Sequence, residues 1–329
     1  MSKSIEYGVF VAQHFLLSAA ARSLSLAQVA RMSDQEARDA FKAIRWADNS
    51  GEPYCPRCGC VAVYAYASRP LWKCKGCDHQ FTITSGTIFA SRKLSIRDYL
   101  LAIAIFVNGA KGHSALQLSR DLDVQYKTAF VLAHKLREAI AAETASKVSG
   151  SVEIDGAYFG GYIKPANYRE RRLDRRLARN QNGKRRCVVV MRERNGRTLP
   201  FVFRSEDAAI PSIRDHVAPG STIYADDASH WDQLHARYLT KRINHSVAYS
   251  DGEACTNQAE SFFSRIRRAE IGTHHHFAGP YLTAYADEMA WREDNRRVSN
   301  GEQYLAMASA AMKRPPSKQW CGYWQRSAE

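Results

Sequence analysis

The chain has 329 residues, 45% hydrophobic and 24% charged, with 47 lysines and arginines against 33 aspartates and glutamates. That length exceeds one ordinary core and implies two or three domains, and the composition excludes an extensively disordered, collagen-like or coiled-coil chain. The formal net charge of +14 favours a polyanionic partner, while the longest apolar run, around residues 99–107, is far short of the roughly 20 residues that cross a bilayer.

Residues 1–50 carry helical signals without strand alternation. Ser33 and Glu36 form a capping-box pattern ahead of Ala40 and Phe41, which marks the start of a helix in this lead-in. No basic region followed by a cleavable apolar segment stands at the N-terminus, so a cytoplasmic protein is expected. Over residues 51–93 the character changes to short β runs between cysteine pairs. Cys55 and Cys58 are separated from Cys74 and Cys77 by 15 intervening residues, the spacing of a four-thiolate zinc ribbon. Gly59 and Gly76 adjoin the ligands, where tight knuckle turns call for a residue that tolerates positive φ. Such a closed site is structural. The remaining cysteines, Cys60, Cys187, Cys255 and Cys321, read as inert small side chains. Around the ribbon, Arg57, Arg69, Lys73, Lys75, Arg92 and Lys93 alternate with Tyr54, Tyr64, Tyr66 and Trp72, a pattern that suits either a phosphate backbone or a solvated basic face.

Residues 94–145 read as a helical, helix-turn-helix-like DNA-binding region. One helix starts at Ser95, a second spans residues 113–122, a third spans 125–140, and a short link separates the last two. After a small polar joint the sequence becomes β-rich over residues 150–300. A strand runs through 151–159, two more pair across Asn195 and Gly196 as a hairpin, a helix covers 208–217, and a strand ends at Asp226. Helices follow from Thr256, and residues 301–329 form a C-terminal tail. The order predicts a mixed α/β domain with its functional carboxylates at strand ends.

Between the first two of these strands, residues 164–186 hold ten lysines and arginines against Glu170 and Asp174, a net charge of about +8 in 23 residues. Arg171, Arg172, Arg175, Arg176, Lys184, Arg185 and Arg186 are the candidate contacts to a DNA backbone, with salt-sensitive binding expected from counterion release. Asp155 lies mid-strand, Asp226 ends a later strand and Glu260 begins a helix. Three such acids suit a site for Mg²⁺, which takes a few carboxylates plus water and substrate phosphate. Asp227 is the alternate to Asp226 by one residue of register, and its side chain would face the other side of the strand. His274, His275 and His276 suit a solvent-facing or DNA-adjacent cluster better than a metal site, because consecutive side chains rarely converge on one ion.

The blocks Val-Glu-Ile-Asp-Gly-Ala-Tyr-Phe-Gly-Gly at 152–161, Tyr-Ala-Asp-Asp-Ala at 224–228, Asn-His-Ser at 244–246, Thr-Asn-Gln-Ala-Glu-Ser-Phe-Phe-Ser-Arg-Ile-Arg-Arg at 256–268, Gly-Thr-His-His-His at 272–276, and Trp-Arg-Glu-Asp-Asn-Arg at 291–296 come in a diagnostic order. In that order the chain resembles bacterial insertion-sequence transposases with an N-terminal zinc ribbon, the fifteen-ninety-five group with an ISXO-two-like transposase domain. The resemblance implies a ribonuclease-H-like core and DDE chemistry. Metal-activated water cuts a DNA strand, and the freed 3′-hydroxyl attacks target DNA. Asp155 and Asp226 match the two aspartates, and Glu260 or Asn257 the third catalytic residue; Glu260 is preferred, since a carboxylate holds Mg²⁺ or Mn²⁺ better than an amide and sits well in a helix's first turn. Arg267 lies on the same helix face and is a candidate DNA contact. Phe263 stands where the family has Trp, and Arg where it has Lys, neither of which touches the metal ligands. The implied partners are double-stranded DNA (terminal inverted repeats and target) and a second copy in a homodimer or larger assembly on DNA, in the bacterial nucleoid. Two rival readings follow from the same residues. An inactive zinc-ribbon regulator would bind DNA without needing Mg²⁺, and a related nuclease would cut without joining.

Overall fold

The computed structural model describes residues 15–141, 147–160, 166–173, 180, 183–243, 255–277 and 279–326. Three serines start helices by the same device, a hydroxyl accepting from the third helical N–H while the acid at that position accepts from the serine N–H. Ser33 with Glu36 begins α2 (Asp34–Arg45), Ser95 with Asp98 begins α3 (Ile96–Asn108), and Ser299 with Glu302 begins α9 (Asn300–Lys313). Ahead of α2 lies α1 (Leu26–Arg31). Between α2 and α3 the ribbon is an antiparallel meander of β1 (Val63–Ala65), β2 (Leu71–Cys74) and β3 (Gln80–Thr82). The Arg45 guanidinium reaches from α2 to donate to the carbonyls of Thr82, Ile83 and Ser85, which ties this helix to the end of the ribbon.

Helices α4 (Ala115–Asp121) and α5 (Tyr126–Ala141) meet at a corner where Asp123 takes a left-handed φ of 50°. The two predicted helices and their turn are present, but α5 buries nine of its sixteen residues. Only Gln125, Tyr126 and Lys127 at its start are exposed, so any reach toward DNA is confined to that first turn. A single apolar cluster explains the enclosure. It joins Phe41 and Trp46, Phe81 of the ribbon, Ile103 and Phe106 of α3, Leu132 and Leu136 of α5, and Met307 and Met312 of α9.

The remaining sheet has five strands in the order β6 (Thr198–Phe203), β5 (Arg186–Glu193), β4 (Ser151–Phe159), β7 (Thr222–Asp226), β8 (Leu239–Ile243). β5 pairs antiparallel with both β4 and β6, and β7 and β8 add in parallel to the other side of β4. The β5–β6 hairpin turns at Asn195, which takes the left-handed position with φ 58°. Alternation divides the sheet into two faces. Val152, Ile154, Val189, Met191, Ile223 and Ala225 pack with α6 (Ile210–His216) and Trp231. Ala157, Phe159, Val188 and Val190 pack on the other side against α7 (Asn257–Ala269) and α8 (Leu282–Asp294). A short α10 (Tyr323–Arg326) ends the described chain. No helix among the described residues is long and apolar enough to cross a membrane.

The two cores meet through charge as well as through apolar contact. Arg137 of α5 donates to Glu288 of α8 at 2.6 Å with side chains 1% and 0% exposed, and Arg292 reaches the same carboxylate at 2.8 Å. Burial alone would push the Glu288 pKa up, but the two guanidinium groups overcome it and hold it at about 2. Because the folded pKa lies below the ordinary value of 4.5, the stability this group contributes is complete above that value and is lost as pH falls toward 2. Replacing Arg137 by Met should leave a buried carboxylate short of one partner and cost roughly 3–5 kcal/mol. Urea unfolding at pH 7 measures it, and a loss below about 1 kcal/mol would show that Arg292 alone suffices.

Candidate active site and metal centres

The four ribbon cysteines converge. Their sulfur atoms all lie within 4.8 Å of one another, with Cys55 to Cys77 and Cys58 to Cys74 each 3.6 Å apart. A tetrahedron with ligands about 2.3 Å from Zn²⁺ has edges of about 3.8 Å, whereas a disulfide would need about 2 Å. The cluster therefore supports a structural zinc. Gly59 takes φ 74° as expected, but Gly76 does not; the left-handed residue of the second knuckle is Asp78, at φ 54°. Gly76 is small for a different reason: a Cβ there would sit 3.3 Å from the Cys60 sulfur.

On the sheet, β4 and β7 run in parallel with Ile154 opposite Ala225, so Asp155 and Asp226 fall side by side on the face covered by α7. Glu260 enters from the first turn of α7. Burial pushes the Asp155 pKa up to about 7, against the Gly156 N–H that donates to its carboxylate at 2.7 Å, and the charges of Asp226, Glu260 and Glu206 push it further. The three expected acids thus share one field, joined by a fourth, Glu206. They are more widely spread than the cysteines, which among the described residues form the one group of three or more such ligands within 4.8 Å.

Several side chains set this geometry without having been singled out by the sequence. Glu153, 1% exposed on the same face of β4, accepts from the backbone N–H of Gln258 at 2.8 Å and of Ala259 at 3.1 Å. Thr256 makes no side-chain cap, so an acid from the sheet caps α7 instead. Arg194 locks the junction, donating to Glu153 at 2.9 Å and to the Cys255 carbonyl at 3.0 Å. Arg242 of β8 donates to the backbone carbonyls of Asp226 and Ala228 at 2.5 Å each and fixes the turn that follows Asp226. Glu206 leans over Gly156, where a Cβ would come within 2.6 Å of its side chain, and lies 3.1 Å from His230. The alternation of Glu153 with Asp155 between apolar neighbours was the available signal for a buried acid. Nothing local marked Glu206 or Arg242.

The alternates and the DNA contacts distribute unevenly. Asp227 is 62% exposed, with Arg242 at 4.0 Å. Asn257 is exposed and lines a cavity with Asn195 and Gln258. Arg171, Arg172 and Lys184 are exposed, Arg185 stacks 4.4 Å over Tyr158, and Arg267 is exposed with its guanidinium 5.7 Å from the Phe159 ring. Arg175 and Arg176 lie outside the described residues, as does the block at 244–246. His275 and His276 are exposed, but His274 turns inward between Phe277 and Tyr285, and burial lowers its pKa to about 4. The expectation of a solvent-facing trio is corrected at that residue, because the ring fills a gap beside α8.

Replacing Cys74 and Cys77 by Ser should remove one zinc per chain and destabilise the N-terminal unit; atomic absorption on the purified double variant decides, and retained stoichiometric zinc would refute the site. Asp155→Asn should stabilise the metal-free protein, since a carboxylate whose folded pKa is raised above 3.8 costs stability increasingly as pH rises toward 7. The expected gain is about 1–3 kcal/mol at pH 8, after discounting for partial exposure. Thermal melts of both proteins in chelator measure it, and a lower melting temperature for the variant would contradict the like-charge account.

Residues 147–294 match the ISXO2-like transposase domain and residues 32–80 the transposase zinc-ribbon domain, the latter taking in α2. An uncharacterized protein in transposable element ISH50 of Halobacterium salinarum is 25% identical over 294 residues, covering 85% of this chain and 98% of that protein. The two matched domains together span more than half of the chain, ribbon first, and the chain belongs to the ISXO2-like transposases that carry an N-terminal zinc ribbon.

Proposed function

We propose that this transposase cuts the ends of an insertion sequence and joins the freed 3′-hydroxyl to target DNA by two-metal phosphoryl transfer, with Asp155, Asp226 and Glu260 holding Mg²⁺ or Mn²⁺. The observation that carries the reading is the field at Asp155. Burial first, and then the charges of Asp226, Glu260 and Glu206, push its carboxyl pKa up to about 7, and a divalent cation would relieve that conflict. The strand order, three antiparallel strands extended by two parallel ones across the first, supports a ribonuclease-H-like core. A bound metal pair would supply Lewis-acid activation of the attacking oxygen and stabilisation of the leaving one. The protein's own part is positioning. Glu153 and Arg194 hold the start of α7 so that Glu260 faces β4, Arg242 holds the turn after Asp226, and Arg267 with the exposed arginines of residues 166–173 offers cations to the strand being cut. Glu260 is preferred over Asn257 because Glu260 acts on Asp155, whereas Asn257 is exposed beside a separate cavity.

The test is incubation with the element's own ends and Mg²⁺ or Mn²⁺, scoring cleavage and joining separately. Asp155→Asn, Asp226→Asn and Glu260→Gln should each lower both activities by on the order of 10³-fold or more while leaving DNA binding intact. Asn257→Ala and Asp227→Asn should retain cleavage. A dead Asn257→Ala beside an active Glu260→Gln would transfer the third ligand to Asn257; cleavage without joining would make the protein a nuclease, and uniform inactivity of the parent with DNA binding preserved would make it a regulator.

A further inference from the structure

Helix α7 has two polar faces. Glu260, Ser264 and Arg267 recur at intervals of four and three on the side of the carboxylates, while Ser261, Arg265 and Arg268 repeat the same spacing about 100° further round the helix. That second face forms one wall of a cavity of about 470 Å³, closed by α8, the α3–α4 link and the segment at residues 16–22. Among the described residues its wall carries Arg22, Lys111, Arg265, Arg268, Arg292 and Arg296 and no carboxylate. We propose that this cavity is a cradle for the DNA backbone, distinct from the basic stretch at residues 164–186 and reached on a different face of α7 from the one that carries Glu260.

Two buried acids behind the wall hold it in shape. Glu293 fixes Arg265 at 2.6 Å and Arg296 at 3.3 Å, and Glu288 fixes Arg292 at 2.8 Å. These pairs orient three guanidinium groups in advance, so less conformational freedom is lost when a phosphate arrives. Six cations still outnumber two acids, and the other three, Arg22, Lys111 and Arg268, are exposed.

The cradle suits a polymer better than a single small anion because it does not end at its own rim. A second cavity of about 410 Å³ shares Ser261 and Arg296 with the first and continues past Asn257 and Gln258 to Asn195. Its acids are engaged, Glu293 as above and Asp294 with Arg192 at 2.8 Å. A strand seated in both would run from a region of pure positive charge to amide donors at the very start of α7, one turn before Glu260. The assignment rests on the reading of the protein as a DNA-processing enzyme, and it adds a binding surface that this reading alone does not supply.

The experiment neutralises the exposed cations and leaves the buried pairs untouched. A triple variant, Arg22→Gln with Lys111→Gln and Arg268→Gln, is titrated with a random-sequence duplex at several salt concentrations, its folding checked by zinc content and circular dichroism. The slope of log K against log salt should fall by about two to three, near 0.9 for each phosphate that is no longer neutralised, with affinity at low salt down roughly 10- to 100-fold. The single Lys111→Gln variant should lose about one unit of slope, which keeps the test open if the triple variant folds poorly. A photoreactive benzoylphenylalanine in place of Leu16, on the cavity wall, should crosslink to the duplex. An unchanged slope, or no crosslink, overturns the cradle even if the parent cleaves element ends. Submillimolar binding of inorganic phosphate with an unchanged DNA slope also overturns it, in favour of a small-anion site. If instead the slope falls and the crosslink forms in a protein that cuts nothing, the cradle stands and the transposition reading fails.

Discussion

The placement of Glu260 depends on one hydrogen-bonded acid, Glu153. A helix start leaves backbone N–H groups without partners, and α7 begins at a threonine whose side chain does not cap it. The carboxylate of Glu153, two residues before Asp155 on the same strand, takes the N–H groups of Gln258 and Ala259. Capping from the sheet does more than satisfy donors. It fixes the distance between the first turn of α7 and the centre of β4, and with it the position of Glu260 relative to Asp155. A helix capped by its own serine, as α2, α3 and α9 are, would carry no such tie to the sheet.

The same neighbourhood separates acids that hold structure from acids left in conflict. Glu153 and Glu288 are the most enclosed, yet each faces guanidinium groups and N–H donors that compensate its charge. Asp155 is less enclosed but meets Asp226, Glu260 and Glu206, with a single backbone N–H in its favour. Burial alone does not distinguish them; the sign of the neighbours does. Unrelieved repulsion at the junction of a central strand and its parallel neighbour is a cost that packing elsewhere must offset, and it is concentrated where a cation would remove it.

Much of this was legible in the sequence where the governing interaction is local. The Ser33–Glu36 capping box, the paired cysteines, the Asn-Gly hairpin and the alternation of β4 each act within a few residues, and Asp155 and Asp226 could be placed on strands by period alone. What escaped was set by tertiary contact. Glu206 reaches the site only because Gly156 leaves room above the strand, His274 turns inward because α8 offers an aromatic gap, and Gly76 is small because the Cys60 sulfur crowds it rather than because its φ is positive. α5 is likewise more enclosed than the DNA-binding region expected at residues 94–145 would suggest. Its polar residues Lys135 and Glu138 are half-buried rather than presented to solvent, and Arg137 is fully enclosed by its pairing with Glu288.

That pairing also joins the two cores. Helix α8 belongs to both cores: Leu282, Tyr285, Ala286 and Met289 pack on the sheet and α7, while Trp291 joins the cluster that contains the ribbon and α3. Glu288, between these two sets, binds Arg137 of α5 and Arg292 of its own helix, and Arg292 in turn donates to the carbonyls of Phe106 and Val107 at the end of α3. A displacement of the ribbon unit relative to the sheet would have to strip a fully buried carboxylate of its partners. Close packing and paired buried charge resist such partial motions far more than an apolar seam alone would. The zinc-bearing unit and the carboxylates are therefore held in fixed relation by α8 and its buried ion pairs rather than joined by a flexible linker.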